Sequence, residues 1–167
     1  MKQQIIVSGI GGQGVLFLTR LFAQAAVEEG LDVLTSETHG MAMRGGTVVS
    51  HLKVGPFKSP LIRMGQCDVG LFINASNLDI YRNFIRPGGR SFVNTDISGE
   101  YYNIDATGLA KECGSLLVTN LVLLGYAVKE GNLFCDEGVM ETIIRKSSQP
   151  DRIEMNLKGF KAGASRN

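Results

Sequence analysis

The stretch Ile5-Ile6-Val7-Ser8-Gly9-Ile10-Gly11-Gly12-Gln13-Gly14-Val15 decides the fold of this chain. Its apolar first half predicts a buried strand over residues 3–8, and the pattern that follows predicts a helix over residues 13–29. The glycines between them permit a tight turn, where the helix dipole and free N–H groups favour an anion. A strand, a glycine-rich turn and a helix in this order make the βα unit that a nucleotide-binding domain needs.

The spacing Gly9-x-Gly11-x-x-Gly14 fits the dinucleotide-binding fingerprint, although glycines at this spacing also serve only to pack a helix closely on a strand. A second strand is predicted over residues 32–36, paired in parallel with the first in a right-handed βαβ unit. Glu37 follows it and is a candidate to bind a ribose hydroxyl in a free-standing NAD(P)- or flavin-binding oxidoreductase. From the residues alone, the turn therefore either holds a nucleotide or serves as a scaffold that binds no ligand.

Clear alternation over Thr47–Val54 predicts a locally antiparallel, half-exposed strand, with His51 on its more polar face as a surface or interface residue. Residues 59–62 are a candidate edge strand. Pro87-Gly88-Gly89 is expected to separate a helix from the next strand.

Strands and helices alternate with short loops along the rest of the chain. Further strands are predicted at 67–74, 90–95 and 101–104, and helices at 77–85, at 119–129, from Asp105 or Thr107 to 111, at 137–146 after Asp136, and at 151–163. The pattern predicts a single domain over residues 1–167. Its expected fold is an α/β, Rossmann-like three-layer sandwich around a mostly parallel central sheet with some antiparallel strands.

Composition excludes several classes of function. The chain has 167 residues and a formal net charge of +1, so charge gives no support for a nucleic-acid partner or a membrane surface. No apolar run reaches the roughly 18 residues that a membrane span requires. The N-terminus enters a strand directly, without a signal-peptide pattern, and the expected location is the cytoplasm.

The sequence offers no self-sufficient catalytic set. Cys67, Cys113 and Cys135 are far apart and form no CxxC pair, which predicts three reduced, mostly buried thiols rather than metal or cluster ligands. A GxSxG elbow, an HExxH pair, a Walker lysine and a thiamine-type Gly-Asp-Gly are all absent from the sequence. Two glycine-rich loops without a nucleophile favour a domain that holds a ligand or contacts another subunit.

The two glycine-rich loops and one further segment together resemble a known protein family. The segments are Gly9–Val15, Ser36-Glu37-Thr38-His39-Gly40-Met41-Ala42-Met43-Arg44-Gly45-Gly46-Thr47-Val48 and Asn120-Leu121-Val122-Leu123-Leu124-Gly125. They resemble the gamma domain of the 2-oxoacid:ferredoxin oxidoreductases of the pyruvate/ketoisovalerate group. Ser-Glu-x-His-Gly-Met before Arg-Gly-Gly is most similar to the small (beta) subunit of the indolepyruvate type. The 2-oxoacid itself stays open, because in this family the substrate pocket lies largely outside this chain.

The resemblance implies that the chain is one subunit of a complex and is inactive alone. Such a complex converts a 2-oxoacid, coenzyme A and oxidised ferredoxin to acyl-CoA, carbon dioxide and reduced ferredoxin. Thiamine diphosphate, Mg²⁺ and the 4Fe-4S clusters are then carried by larger partner subunits, and ferredoxin is reached through the complex. The isolated chain is also a candidate to form a homodimer.

The two glycine-rich loops supply the candidate cofactor-binding residues, with coenzyme A as the expected shared ligand. The helix N-terminus at Gly11–Gly14 is expected to receive one phosphate group, and Arg44 to pair with another phosphate or with an acidic residue of the partner subunit. Met41 and Met43 are expected to pack at an interface. The candidates are Gly9, Gly11, Gly12, Gln13, Gly14, His39, Arg44, Gly45 and Gly46, with no catalytic or metal-binding residue among them.

Overall fold

The strands and helices follow the predicted alternation. A computed structural model describes residues 1–39 and 46–167, with only the backbone of His39. In chain order, the elements are β1 (Gln3–Ile10), α1 (Val15–Glu28), β2 (Val33–His39), β3 (Thr47–Val54), β4 (Cys67–Phe72), α2 (Asn77–Tyr81), β5 (Ile85–Asn94), β6 (Tyr102–Ile104), α3 (Ala106–Cys113), α4 (Thr119–Glu130), α5 (Glu137–Ser147) and α6 (Ile153–Ala164). Short 3₁₀ turns precede β5, α4 and α6.

The strands form one mixed sheet in the order β2-β3-β1-β4-β5-β6. Strands β1, β4, β5 and β6 pair in parallel, whereas β3 is antiparallel to both β1 and β2. The predicted mostly parallel sheet with some antiparallel pairing is confirmed. The predicted direct pairing of the first two strands is wrong, because β3 returns antiparallel beside β2 after a short connection and occupies the position next to β1.

The two faces of the sheet are covered unequally. Successive side chains of β1 point to opposite faces, so Ile5 and Val7 join one cluster while Ile6 joins the other. The larger cluster includes α1 and α3 to α6, and the smaller one includes α2 through Leu78. The three layers are therefore a thick helical layer, the sheet and a thin layer built on α2. Because β1 lies between covered faces, its apolar residues run nearly without interruption.

Strand β3 is buried, so the predicted half-exposed strand is wrong. His51 is 5% exposed, which also corrects its predicted surface position. The Ile62 N–H donates to Nδ1 of His51 over 3.0 Å, and the Phe84 ring lies edge-on to the imidazole at a centroid distance of 5.5 Å. Residues 59–62 are therefore a loop that folds over β3, rather than the predicted edge strand.

We expect His51 to make stability depend on pH. Burial, and secondarily the positive charge of Lys53, lowers the pKa of His51 below its ordinary value of 6.5. The unfolded chain then binds more protons than the folded chain below that pH, so the free energy of unfolding falls as pH decreases. Thermal unfolding between about pH 7.5 and 5.5 measures the loss. His51→Gln, which cannot titrate, should lose less stability than wild type over that range, and equal losses would refute the assignment.

Two further boundaries differ from those predicted. Strand β5 begins at Ile85 and passes through Pro87-Gly88-Gly89, where its register against β4 shifts, so these residues form an irregularity in a strand rather than a break before it. The helix predicted at 77–85 ends at Tyr81 and continues as a 3₁₀ turn. Asp136 caps α5 through its side chain, as the sequence predicted, and α3 is capped by Asp105, one of its two predicted candidates.

Helices α4 and α6 approach each other closely enough to bring their backbones into contact. A Cβ at Gly125 would lie closer than 3.0 Å to the carbonyl oxygen of Phe160, and one at Gly163 equally close to that of Val122. Gly159 faces the side chain of Val118 at similarly short range. The α4–α6 contact thus depends on glycine at these positions.

Candidate functional site

The glycine-rich turn lies at the carboxyl end of β1 and is closed by Gln13. The Gln13 side-chain oxygen accepts from the Ile10 N–H over 2.8 Å, and the Gln13 N–H donates to the Ile10 carbonyl over 3.1 Å. A Cβ at Gly9 would lie 2.9 Å from that same side-chain oxygen. Gln13 and Gly9 therefore shape the turn from within.

Two buried asparagines hold the turn from outside, and their roles were missed from the sequence. Asn77 is 2% exposed, and its amide donates to the Ser8 hydroxyl over 3.0 Å and to the Gly9 carbonyl over 2.9 Å. Asn120 is 5% exposed and donates to the Gly14 carbonyl over 3.3 Å. The available signals were weak, since Asn77 only began a predicted helix and Asn120 only began the third family segment.

The second glycine-rich segment meets the first. The Gly11 N–H donates to the Gly46 carbonyl over 2.9 Å, and His39 pairs with Val48 at the end of the β2–β3 ladder. Gly46 and the backbone of His39 therefore lie at the end of the sheet where β1 leads into the glycine-rich turn. The other candidates in this segment, Arg44 and Gly45, lie outside the described residues, as do Met41 and Met43, which are predicted to pack at an interface.

The amino end of α1 has the chemistry of an anion site. Gly12 and Gly14 adopt left-handed backbone conformations with φ of 94° and 80°. Within the described residues, no side chain caps α1, and its first turn contains no acidic residue. The helix dipole is thus not offset by a carboxylate of its own, which favours an external anion at this end.

A groove of about 780 Å³ opens from this turn. It is lined by Phe17 and Arg20 of α1, by Leu116 and Leu117 of the 3₁₀ turn before α4, and by Arg152 just before α6. The two leucines are 55% and 69% exposed, so apolar surface faces solvent here. The groove lining therefore combines an anion-favouring turn, apolar side chains and arginine side chains.

The three cysteines are buried and unpaired, which confirms the prediction of buried thiols. Burial raises the pKa of Cys67 and of Cys135 to about 12, so both remain protonated and unreactive at neutral pH. In residues 1–39 and 46–167, no group of three or more His, Cys, Asp or Glu residues is placed to hold a metal. None of the helices in the same ranges is long and apolar enough to cross a bilayer.

Glu37 does not lie where a dinucleotide fingerprint places its acid. In register, Glu37 pairs with Ser50 of β3, and Ser50 in turn pairs with Val7 of β1. Two strand spacings, roughly 9–10 Å, therefore separate Glu37 from β1. This displacement speaks against a ribose contact by Glu37 at the glycine-rich turn.

A mixed α/β sheet, whose first strand leads through a glycine-rich turn into a helix that no described side chain caps, defines a Rossmann-like domain. The sequence profile of the pyruvate ferredoxin/flavodoxin oxidoreductase family matches residues 4–166, and the chain belongs to that family. The resemblance noted from the sequence is confirmed, and a free-standing dinucleotide oxidoreductase is not favoured.

Individual relatives agree in sequence and in fold. The chain is 31% identical to the indolepyruvate oxidoreductase subunit IorB of Archaeoglobus fulgidus, over 98% of this chain and 94% of that protein. It superposes on the gamma subunit of a keto/oxoacid ferredoxin oxidoreductase from Geobacter sulfurreducens with a TM-score of 0.79 and 26% identity, covering 96% and 95% of the two chains.

A third comparison shows likeness of fold alone. The 2-oxoglutarate:ferredoxin oxidoreductase of Magnetococcus marinus, solved with 2-oxoglutarate, coenzyme A and succinyl-CoA, matches with a TM-score of 0.81 at 23% identity. That match covers 98% of this chain and 30% of the larger one. The fold of the present chain therefore also occurs as one part of a longer polypeptide.

Proposed function

We propose that this chain is the small subunit of a 2-oxoacid:ferredoxin oxidoreductase of the indolepyruvate type and is inactive without its partner. The observation that carries the proposal is the match to the Archaeoglobus fulgidus subunit over nearly the full length of both chains. Its work in the complex is to complete the active-site assembly and to contact coenzyme A. The complex oxidises a 2-oxoacid to carbon dioxide and acyl-CoA, and the two electrons released pass to ferredoxin.

The contact with coenzyme A is supported by the amino end of α1. We propose that the turn at Gly11–Gly14 binds a phosphate group of coenzyme A through those of its backbone N–H groups that do not already donate to the Ile10 and Gly46 carbonyls. Within the described residues, no side chain caps that end of α1, and no atom lies within 4 Å of a Cβ placed at Gly12. We further propose that Arg44 pairs with another phosphate, with His39, Gly45 and Gly46 forming the second side of the site. Coenzyme A in the structurally similar Magnetococcus marinus enzyme is consistent with this role.

The remaining chemistry belongs to partner subunits in this proposal. Larger subunits carry thiamine diphosphate, Mg²⁺ and the 4Fe-4S clusters, which supply decarboxylation and electron transfer. The present chain offers no cysteine set of its own for a cluster among its described residues. Ferredoxin then meets the assembled complex. Three unpaired buried thiols suit a reducing compartment, and we propose the cytoplasm.

Co-purification from the native cell tests the proposal. The tagged chain is expected to retain a larger subunit that absorbs as an iron–sulfur protein and contains thiamine diphosphate. That complex should reduce ferredoxin with a 2-oxoacid only when coenzyme A is present, and a panel of 2-oxoacids then defines the substrate. Isolation of the chain alone, together with tight binding of NAD(P) or a flavin by calorimetry, would overturn the proposal.

Arg44→Ala separates the two roles open to that arginine. Loss of a charge-assisted hydrogen bond to phosphate is expected to raise the KM for coenzyme A roughly ten- to hundred-fold, with assembly unchanged. Size-exclusion chromatography measures assembly, and Arg145→Ala on exposed surface of α5 is the matched control. If assembly weakens and the KM for coenzyme A stays the same, Arg44 contacts the partner subunit instead.

A further inference from the structure

The groove continues well beyond the glycine-rich turn. Gly12–Gly14 line it where β1 ends, and residues 147–149, 151 and 152, at and after the carboxyl end of α5, line it as well. The Ser147 hydroxyl donates to the side chain of Gln24, which lies further along α1 than Arg20. Along α1, the rise from Val15 at the amino end to Arg20 is about 7.5 Å. A ligand bound by a phosphate at the turn would therefore extend past Arg20 if it follows the groove.

Two arginines of the groove lining have no carboxylate partner within the described residues. Arg20 and Arg152 both line the groove, and neither appears in an ion pair there, whereas Arg82 and Arg86 elsewhere pair with nearby aspartates. Asp151 is the one carboxylate among the described lining residues. The side-chain charge of the groove is thus positive. The amino end of α4 adds to it, because its first turn contains no acidic residue within the described chain.

Other residues of the groove lining supply a different kind of contact. Phe17, Leu117 and Met155 give it an apolar lining. Asn120 also lines the groove and is 95% buried, yet its side-chain oxygen has no hydrogen-bond partner in the part of the chain that the structure describes. A buried oxygen of this kind requires a donor, such as a hydroxyl or an amide N–H, which inorganic phosphate at neutral pH supplies poorly.

We infer that the groove binds a ligand with two separated anionic groups, and that Arg20 and Arg152 bind the second. This inference rests on the proposed function, in which the ligand is coenzyme A. Its diphosphate occupies the amino end of α1, and its 3′-phosphate, which is on the ribose next to that diphosphate, reaches the two arginines. Asn120 accepts a hydrogen bond from a hydroxyl or N–H of the ligand. The two arginines therefore distinguish coenzyme A from dephospho-coenzyme A.

Calorimetric titration tests this assignment on the full chain and on the assembled complex at fixed ionic strength. Wild type is expected to bind coenzyme A roughly ten-fold or more tightly than dephospho-coenzyme A. Arg20→Gln and Arg152→Gln should each reduce that ratio by weakening coenzyme A binding alone. Arg145→Gln, an exposed arginine outside the described lining of the groove, is the matched control and should leave the ratio unchanged. Thermal unfolding establishes that each variant is folded.

The outcomes separate the inference from the proposed function. If coenzyme A and dephospho-coenzyme A bind equally well, the second anion site is wrong, although the subunit still binds coenzyme A as proposed. If Arg145→Gln reduces the ratio as much as Arg152→Gln does, general surface charge explains it and the assignment fails. If neither compound binds the chain or the complex, both the inference and the proposed contact with coenzyme A are overturned.

Discussion

Gly163→Ala is expected to lower the free energy of unfolding by about 3 kcal/mol or more. The added Cβ would meet the carbonyl oxygen of Val122 at less than 3.0 Å, and the amide nitrogen of Tyr126 lies 3.0 Å away on the same side. These atoms belong to the backbone of α4 and cannot rotate away as a side chain does. Relief therefore requires α6 to separate from α4, which exposes core residues such as Phe160.

Gly138→Ala provides the matched control for this prediction. Gly138 also lies in a helix, in the first turn of α5, but the nearest atom to its added Cβ is the Asp136 carboxylate oxygen at 3.4 Å. Alanine there is expected to be neutral or to stabilise by up to about 1 kcal/mol, because it restricts the unfolded chain. Urea denaturation of both variants measures the difference. Similar free energies of unfolding for the two would contradict the close α4–α6 packing.

Gly12→Ala is expected to weaken coenzyme A binding by roughly ten-fold or more while the chain stays folded. Gly12 has φ of 94°, so alanine costs backbone strain of about 1–2 kcal/mol. Among the described residues, its Cβ would meet no atom within 4 Å. In the proposed function, that space admits the phosphate group, and a methyl group there blocks its approach to the backbone N–H groups.

Gly30→Ala is the matched control, because it introduces similar backbone strain but no methyl group at the proposed phosphate site. Gly30 follows α1, has φ of 72°, and likewise offers no atom within 4 Å of an added Cβ. Both variants should lose a similar free energy of unfolding, measured by urea denaturation. Only Gly12→Ala should raise the Kd for coenzyme A in calorimetry. Equal Kd values for the two variants would remove the phosphate from the turn.

The local sequence pattern predicted where each strand lies along the chain better than it predicted which strands are neighbours in the sheet. The alternation at Thr47–Val54 located β3 correctly, because pleating places side chains on alternate faces whatever the partner strand. It did not show that β3 lies between β1 and β2, since pairing order depends on how the chain returns after residue 39. The right-handed βαβ expectation therefore named the wrong partner for β1.

His51 is buried by residues that lie far from it in the sequence, so its burial could not be predicted from the local pattern. A histidine in mid-strand looked exposed, but Phe84 and the loop at Ile62 cover it and satisfy its nitrogen. The sequence indicates the α4–α6 contact more directly, because two glycines lie four residues apart on one helical face in Gly159-Phe160-Lys161-Ala162-Gly163. Sequence reasoning recognised the glycine turn of the site, but the groove needed the packed positions of α1, α4 and α6.

The β2–β3 hairpin has an evolutionary consequence. Its ladder runs from Val33–Val54 to His39–Val48, and the Gly11–Gly46 hydrogen bond attaches its open end to the turn after β1. Both ends of the connecting segment are thus fixed by backbone pairing, which tolerates most side chains. Side chains in this segment that bind neither ligand nor partner can therefore change in evolution without shifting the register of the ladder. Selection can alter such positions while the paired strands that carry them stay constant.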